Sequence, residues 1–470
     1  MKKRTIKGSD FLMLFLIIIG NISISNGQKQ PNVVFIMVDD LRPELGCYGS
    51  PQIKTPNIDK LASQGTLFNN AYCNIPVCGA SRASLLTGIL PTKERFVQFD
   101  AYASKDVPDA KTLPQVFKEA GYQTFSIGKV FHHPDDANDR SWSEPAWLNQ
   151  GEKYDFMLSK DPISALTLSK ANRGRIYEMP DVKDDAYNDG QTALKTIEQL
   201  RNQKKNKQPF FIACGFVRPH LPFYAPKKYW DLYNRDSITE ANNNFRPKNA
   251  PASLNGSGEF RNYYLDNLNP KSEEFRKMMK HGYYASVSYT DKLIGDVLQE
   301  LKNLNLDENT IVVLWGDHGW NLGEHTFWGK HNMMKLALKV PLIIKVPTNK
   351  NVNKTSAIVE SADIFPTLCS LAGIIPPKQI QGKSFTELLS KKEEPFREYA
   401  YSRFLDGDTV INDRYAYTHY SGKKHGEEVM LFDHLSDPDE NENVVMKPEY
   451  KEVVKEMEAW LKASQNRAVK

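Results

Sequence analysis

The chain has 470 residues, with 61 Lys+Arg against 57 Asp+Glu for a formal net charge of +4, and it is 40% hydrophobic and 25% charged. That composition excludes a disordered, collagen-like or disulfide-dense chain, and a surplus of four charges over this length is too small to mark a binder of nucleic acid. At about 150 residues per domain the length allows roughly three domains, or one large α/β unit with an appendage.

Lys2, Lys3, Arg4 and Lys7 open the chain and precede an apolar run, Phe11–Ile19, after which small and polar residues lead to Ser25-Asn26-Gly27. The run is too short to cross a bilayer; a basic start, a short apolar centre and a small-residue exit are those of a secretory signal, with a buried N-terminal helix as the competing reading. No Cys follows closely enough for a lipid anchor, and no later stretch is apolar for long enough to span a membrane. Residues 1–27 are therefore expected to be a signal peptide and the mature chain to be exported, periplasmic or secreted, with no membrane attachment. Their removal takes away Lys2, Lys3, Arg4 and Lys7 with Asp10, and leaves a net charge of only +1.

Four short, nearly continuous apolar runs, Val33–Val38, Phe210–Cys214, Ile311–Trp315 and Pro341–Val346, read as strands covered on both faces. Between them Asp59–Gln64, Gln191–Arg201, Ser272–Leu304 and Asp363–Ala372 carry helical spacing. The alternation predicts an α/β protein with a large, mostly parallel sheet flanked by helices. Two long polar stretches, roughly Asp135–Asp189 and Asp231–Asn269, read as surface excursions that shape a pocket. After about Phe385 the texture changes to short alternating runs, Tyr399–Phe404, Arg414–Tyr420 and Val429–Asp433, then a turn at Asp437-Pro438-Asp439 and an amphipathic helix from about Pro448 to Ala463. The expected organisation is a main domain over 28–385 and, over 386–470, a C-terminal subdomain with a small antiparallel sheet and a closing helix.

Open α/β sheets place their sites beyond the carboxyl ends of the strands, and two of these strands run into acids that a core would not ask for. The first ends in Asp39-Asp40, which repel each other unless a cation lies between them; the bland alternative is a solvated turn or a helix cap. The strand ending at Trp315 runs into Gly316-Asp317-His318-Gly319. Together the two pairs suggest an oxygen-rich site for a divalent cation, and hard carboxylate oxygens favour Ca²⁺ or Mg²⁺ over zinc. In Val77-Cys78-Gly79-Ala80-Ser81-Arg82-Ala83-Ser84-Leu85-Leu86-Thr87-Gly88 a small-residue turn leads into a short helix, placing Cys78 at an N-terminus that favours an anion. Five cysteines, Cys47, Cys73, Cys78, Cys214 and Cys369, leave at least one thiol unpaired or altered in an exported chain. Cys78 can alternatively pair with Cys73 or simply fill space.

The pattern C-x-A-x-R followed by S-x-L-T-G resembles the signature of the type I sulfatases, in which the cysteine is oxidised to Cα-formylglycine; that family more often has Pro where this chain has Ala80. Further blocks resemble the iduronate-2-sulfatase branch and its bacterial polysaccharide-sulfatase relatives, in that family's order. They are Val38-Asp39-Asp40-Leu41-Arg42-Pro43 with Gly46-Cys47-Tyr48-Gly49, Gly128-Lys129-Val130-Phe131-His132, and Arg218-Pro219-His220-Leu221-Pro222-Phe223. Tyr284-Ala285-Ser286-Val287-Ser288-Tyr289, Asp317-His318-Gly319-Trp320 and Leu322-Gly323-Glu324-His325 complete a resemblance over about Pro31 to Val346. Leu431-Phe432-Asp433 and Asp437-Pro438-x-Glu440 resemble the family's C-terminal subdomain.

The resemblance implies an alkaline-phosphatase-like sulfatase fold and a calcium-dependent sulfuric ester hydrolase. Asp39, Asp40, Asp317 and His318 match the calcium-ligand positions, joined by the modified Cys78, whose gem-diol attacks sulfur and forms a covalent sulfoenzyme. Arg82 matches the residue that holds diol and sulfate oxygens, and Lys129 and Lys330 match the lysines that clamp the sulfate. His132 matches the histidine that takes the proton when sulfate is expelled, with His133 as the alternative; Lys330 beside His331 can instead be a solvated surface pair. His220 matches the histidine that protonates the departing alcohol, against a packed loop residue between two prolines. The implied substrate is a sulfated oligosaccharide or polysaccharide, a uronate 2-O-sulfate of glycosaminoglycan type or an algal polysaccharide such as ulvan. The implied partner is a formylglycine-generating or anaerobic sulfatase-maturating enzyme. Two other readings remain open: a phosphoesterase of the alkaline phosphatase superfamily, or a sulfated-glycan-binding protein without turnover if Cys78 is unmodified.

Overall fold

The continuous apolar runs take their character from a sheet buried on both faces. In the computed structural model of the protein, residues 30–149, 173–347, 354–390 and 396–470 are described; the expected leader, 1–27, and part of the first excursion lie outside them. Seven strands form the main sheet: β1 (Asn32–Val38), β2 (Thr66–Tyr72), β3 (Gln123–Gly128), β4 (Phe210–Phe216), β5 (Thr310–Gly316), β6 (Leu342–Lys345) and β7 (Lys354–Glu360), in spatial order β7-β2-β6-β5-β1-β4-β3. Every pairing is parallel except those of β6, which runs against both β5 and β2. The reading of Pro341–Val346 as a strand therefore holds, and its direction makes the sheet mixed.

Along β1, Val33, Phe35 and Met37 enter one core while Val34, Ile36 and Val38 enter the other. Alternate side chains point to opposite faces of a strand, so a strand apolar at every position demands helices on both sides. On one face lie α1 (Pro56–Gln64), α4 (Asn188–Lys205) and α5 (Glu273–Asn303); on the other lie α2 (Cys78–Thr87), α3 (Leu113–Glu119) and α6 (Ile364–Leu371). Helix α1 starts with Pro56 at its first turn, and Asp291 of α5 accepts hydrogen bonds from the backbone N–H groups of Asn57 (3.1 Å) and Ile58 (2.8 Å), so the cap comes from a neighbouring helix.

The strands β8 (Ala400–Phe404), β9 (Gly407–Ile411), β10 (Tyr415–Gly422) and β11 (Gly426–Asp433) form an antiparallel meander. One face places Ala400, Ile411, Ala416, Met430 and Phe432 in the core that α2 and α6 share with the main sheet. The other packs Tyr401, Val410, Tyr417 and Leu431 against Met457 and Leu461 of α7 (Lys451–Val469). Helix α7 continues past Ala463 because Ser464 and Ala468 extend its buried stripe. Among the described residues no helix is long and apolar enough to cross a membrane.

Candidate active site

The neighbours β5, β1, β4 and β3 run in one direction, so their carboxyl ends share one edge of the sheet. There β1 delivers Asp39 and Asp40, β5 delivers Asp317 and His318, β3 leads to Lys129 and His132, and β4 leads to His220. The ladder continues one step past the strands: the N–H of Asp39 donates to the Phe216 carbonyl (3.1 Å), that of Asp317 to Val38 (3.3 Å) and that of Lys129 to Gly215 (2.9 Å). Asp40 is held at φ +60°, a region costly for a residue with a Cβ. Gly128 has φ +75°, and a Cβ there would lie 2.2 Å from the Gly215 carbonyl oxygen, so only glycine lets the chain turn Lys129 inward.

Asp39, Asp40, Asp317 and His318 are all fully buried, and their ligand atoms lie within 4.8 Å of one another. Asp317 Oδ1 accepts the backbone N–H groups of Asp40 (3.1 Å) and His318 (3.0 Å). His318 Nδ1 lies 3.0 Å from the Gly319 carbonyl and can only donate to it, which leaves the Nε2 lone pair 3.3 Å from Asp40 Oδ1 and 3.6 Å from Asp317 Oδ1. Asp39 Oδ1, Asp40 Oδ2 and His318 Nε2 are buried with no hydrogen-bond donor among the described residues. Acceptors converging without donors are a poor arrangement for an empty interior and a good one for a hard cation. Burial pushes the Asp40 carboxyl up to about 7, against the pull of His220 and Lys330 and with the push of Asp39; burial is also the largest single influence on Asp39, but Lys129, His220, Arg82 and Lys330 together outweigh it and hold that carboxyl well below the usual range.

Three permanent cations ring these acids. Arg82, one turn into α2, donates Nε to Asp317 Oδ2 (2.8 Å) and Nη1 to the carbonyls of Lys129 and Val130, while its Nη2 has no acceptor among the described residues. Lys129 Nζ pairs with Asp39 Oδ2. Lys330, only 1% exposed, pairs with Asp40 Oδ1 at 2.7 Å, so the reading of Lys330 as a solvated surface residue is set aside. Its neighbour His331 turns away toward Ser257 (3.1 Å) and stacks on Phe404 of β8.

Cys78 opens α2, all of whose residues are buried, and its Sγ joins Asp39 and His318 in a second set of ligand atoms within 4.8 Å. Gly79 permits this packing: a Cβ there would lie 2.0 Å from the Phe99 carbonyl oxygen. All five cysteines are free, so the alternative pairing of Cys73 with Cys78 is not made. His132 Nδ1 lies 3.3 Å from Cys78 Sγ, whereas His133 stacks face to face on Tyr102 at 4.0 Å; of the two, the fold brings His132 to Cys78. Burial, with Lys129 nearby, pushes His132 down to about 3, so the ring is neutral near neutral pH. His220 Nδ1 lies 2.6 Å from the Leu221 carbonyl and its Nε2 faces Asp40 Oδ2 at 3.9 Å.

Sequence reasoning missed Glu259. It belongs to the stretch read as a surface excursion, yet its carboxylate lies 3.3 Å from His220 Nε2 and 3.2 Å from Lys330 Nζ. Burial raises its carboxyl but Lys330 and His220 outweigh this and keep it ionised far below the usual range. The only local signal is an acid between the small-residue run Gly256-Ser257-Gly258 and the buried Phe260.

The family profile described as Sulfatase matches residues 31–374, and that described as N-sulphoglucosamine sulphohydrolase, C-terminal, matches 323–467. Iduronate 2-sulfatase of Homo sapiens is 34% identical over 420 residues, 81% of this chain and 76% of that protein. The ulvan-active sulfatase of Formosa agariphila is 30% identical over 449 residues, 92% of this chain and 80% of that one. Among solved structures, a protein in complex with its substrate D-glucosamine-2-N,6-O-disulfate superposes with a TM-score of 0.74 at 24% identity, covering 94% of this chain and 98% of that one; at that identity the likeness speaks for the fold.

Proposed function

The chain belongs to the sulfatase family of sulfuric ester hydrolases, and we propose that it removes sulfate from a sulfated carbohydrate using a formylglycine made from Cys78 beside a calcium ion. The observation that carries this reading is the convergence of undonated buried acceptors on Asp39, Asp40 and His318 with the Cys78 sulfur. Asp39, Asp40, Asp317 and His318 would hold the ion, with Cys78 at its edge. When bound, calcium supplies Lewis-acidic charge to the sulfate oxygens, and the hydrated aldehyde supplies the hydroxyl nucleophile.

Charge balance supports a dication. Four buried or nearly buried carboxylates, Asp39, Asp40, Asp317 and Glu259, face three permanent cations, Arg82, Lys129 and Lys330. With Arg173 on the outer side of Glu259 the fixed charges only balance, which gives a sulfate no net attraction, whereas two added positive charges make the site attractive. Arg82 keeps an unpaired Nη2 for an oxygen at the Cys78 position, and Lys129 and Lys330 supply fixed charge on either side. His132, neutral and 3.3 Å from the Cys78 sulfur, is placed to accept a proton from the group that replaces it. His220 is tethered through Nδ1 to a carbonyl, so its Nε2 is the nitrogen available to protonate the departing alcohol oxygen.

The names of the relatives support a sulfated glycosaminoglycan or polysaccharide as the substrate class, within which our reading is a 2-O-sulfated uronate of glycosaminoglycan type or a sulfated algal polysaccharide such as ulvan. The basic start and short apolar run at the head of the sequence support a signal peptide over 1–27 and export to the periplasm or beyond, where such polymers are met, and residues 28–385 and 386–470 would serve as catalytic domain and C-terminal subdomain. Converted protein should release sulfate from sulfated uronate oligosaccharides and lose that activity on chelation. Mass spectrometry across the Cys78 peptide accompanies the assay, since conversion exchanges thiol sulfur for an aldehyde oxygen and lowers the mass. A preference for phosphate over sulfate esters overturns the reading, and an unshifted Cys78 peptide from the native host favours a glycan-binding protein without turnover.

A further inference from the structure

An acid has no obvious place beside a pocket for sulfate, because it repels the ligand. Glu259 is nonetheless built in firmly. It opens a short 3₁₀ turn, Glu259–Asn262; its N–H donates to Ser257 Oγ (3.2 Å), and the next side chain, Phe260, is buried against Phe275 of α5 at 5.7 Å. The carboxylate is therefore anchored from the long helix, and each of its oxygens faces a cation: Oε1 lies 3.3 Å from His220 Nε2 and 3.2 Å from Arg173 Nη1, and Oε2 lies 3.2 Å from Lys330 Nζ.

We propose that Glu259 is a positioning residue for the leaving-group side of the site, fixing the rotation of the His220 ring and holding the Lys330 ammonium between itself and Asp40. This rests on the sulfatase reading given above. An imidazole tethered only through Nδ1 still swings about that bond; a second partner at Nε2 defines where the proton points. For Lys330 the alternative to sharing is collapse onto Asp40, whose Oδ1 is already 2.7 Å away, which ties up an oxygen that the metal position needs. Glu259 has no contact with Cys78, Arg82 or His132 among its described partners; its pairing with Lys330 bears on sulfate binding with any ester, so its action through His220 on departure of the alcohol is the loss on a sugar ester beyond that on an aryl ester.

That division gives the test. A sugar alkoxide is a poor leaving group and needs its proton as the ester bond breaks, whereas 4-nitrophenolate departs without one. Glu259→Gln, which keeps the size and one acceptor, should lower kcat for a uronate 2-sulfate disaccharide by about 10- to 100-fold, the usual effect of losing an orienting partner. It should lower kcat for 4-nitrophenyl sulfate far less, and Glu259→Asp should recover part of the sugar-ester rate. In a His220→Ala background the Glu259→Gln change should add little further loss on the sugar ester. The aryl ester is also the control for folding and for Cys78 conversion, measured on each variant. Equal losses on both esters, an unaffected sugar-ester rate, or full additivity with His220→Ala overturns the proposal while wild-type activity leaves the sulfatase reading intact. Converted wild-type protein that hydrolyses neither ester overturns both.

Discussion

Asp317 ties the site together at the scale of single residues: one oxygen accepts two backbone N–H groups, the other accepts Arg82 Nε, and its carbonyl accepts the Ser81 hydroxyl at 2.6 Å. Arg82 and Asp317 are both 0% exposed, so neither charge finds water if the other is removed. Arg82→Ala should therefore cost about 3–5 kcal/mol, the range for stranding one partner of a buried ion pair. Urea denaturation checks this, and an unchanged midpoint would mean that water or another cation reaches Asp317. Which side chains meet here was readable from the sequence wherever a strand led straight into them, as at Val38-Asp39-Asp40 and Gly316-Asp317-His318. Glu259 was not readable, because it reaches the site through a loop whose path depends on the packing of Phe260 against Phe275, a contact between residues with no shared pattern.

At the scale of elements, the N-terminus of α1 depends on Asp291 of α5, more than two hundred residues away, and Thr55 at the cap position makes no side-chain bond to it. Burial pushes the Asp291 carboxyl up to about 6 despite the N–H groups of Ile58 and Asn57 that favour its charge. A folded-state pKa above the unfolded value of 3.8 means that the native chain binds the extra proton between them. The contribution of this group is then fully present below the unfolded value and is lost as pH rises through about 6. Relative to Asp291→Asn, the wild type should lose up to about 3 kcal/mol of stability between pH 4 and 7; parallel denaturation curves that keep a constant gap would contradict this. The same scale explains which elements the sequence disclosed. β1, β4 and β5 are central and buried throughout, so their apolar runs are unbroken, whereas β7 at the sheet edge reads Lys354-Thr355-Ser356-Ala357 before any apolar pair and carries no strand period. The direction of β6 is likewise silent in its residues, since a short buried strand looks the same in either orientation.

For the molecule as a whole, the C-terminal meander is part of the main core, and Phe404 of β8 stacks on His331 beside Lys330 at 5.5 Å, so the subdomain helps to form the rim of the site. Its closing helix is fastened by Arg467, which donates Nη2 to both oxygens of the buried Glu360 at 2.8 Å. Enclosure of this completeness sets an order of events. Cys78 is 3% exposed and every residue of α2 is buried, so the folded chain offers a second enzyme almost none of the surface of that thiol and none of its flanking backbone in extended form. On the proposed function, oxidation of Cys78 would then come first and folding afterwards, with the extended segment as the form that a maturing enzyme grips. A peptide covering residues 74–88 should be converted readily by a formylglycine-generating enzyme, while the folded thiol protein should keep its mass for as long as it stays folded. Conversion of both at the same rate would mean that the folded chain exposes α2 often enough for the order not to matter. Otherwise, on the proposed function, the protein would have one interval, between leaving the ribosome and burying α2, in which to become an enzyme, and a chain that folds too soon would remain inactive for its lifetime.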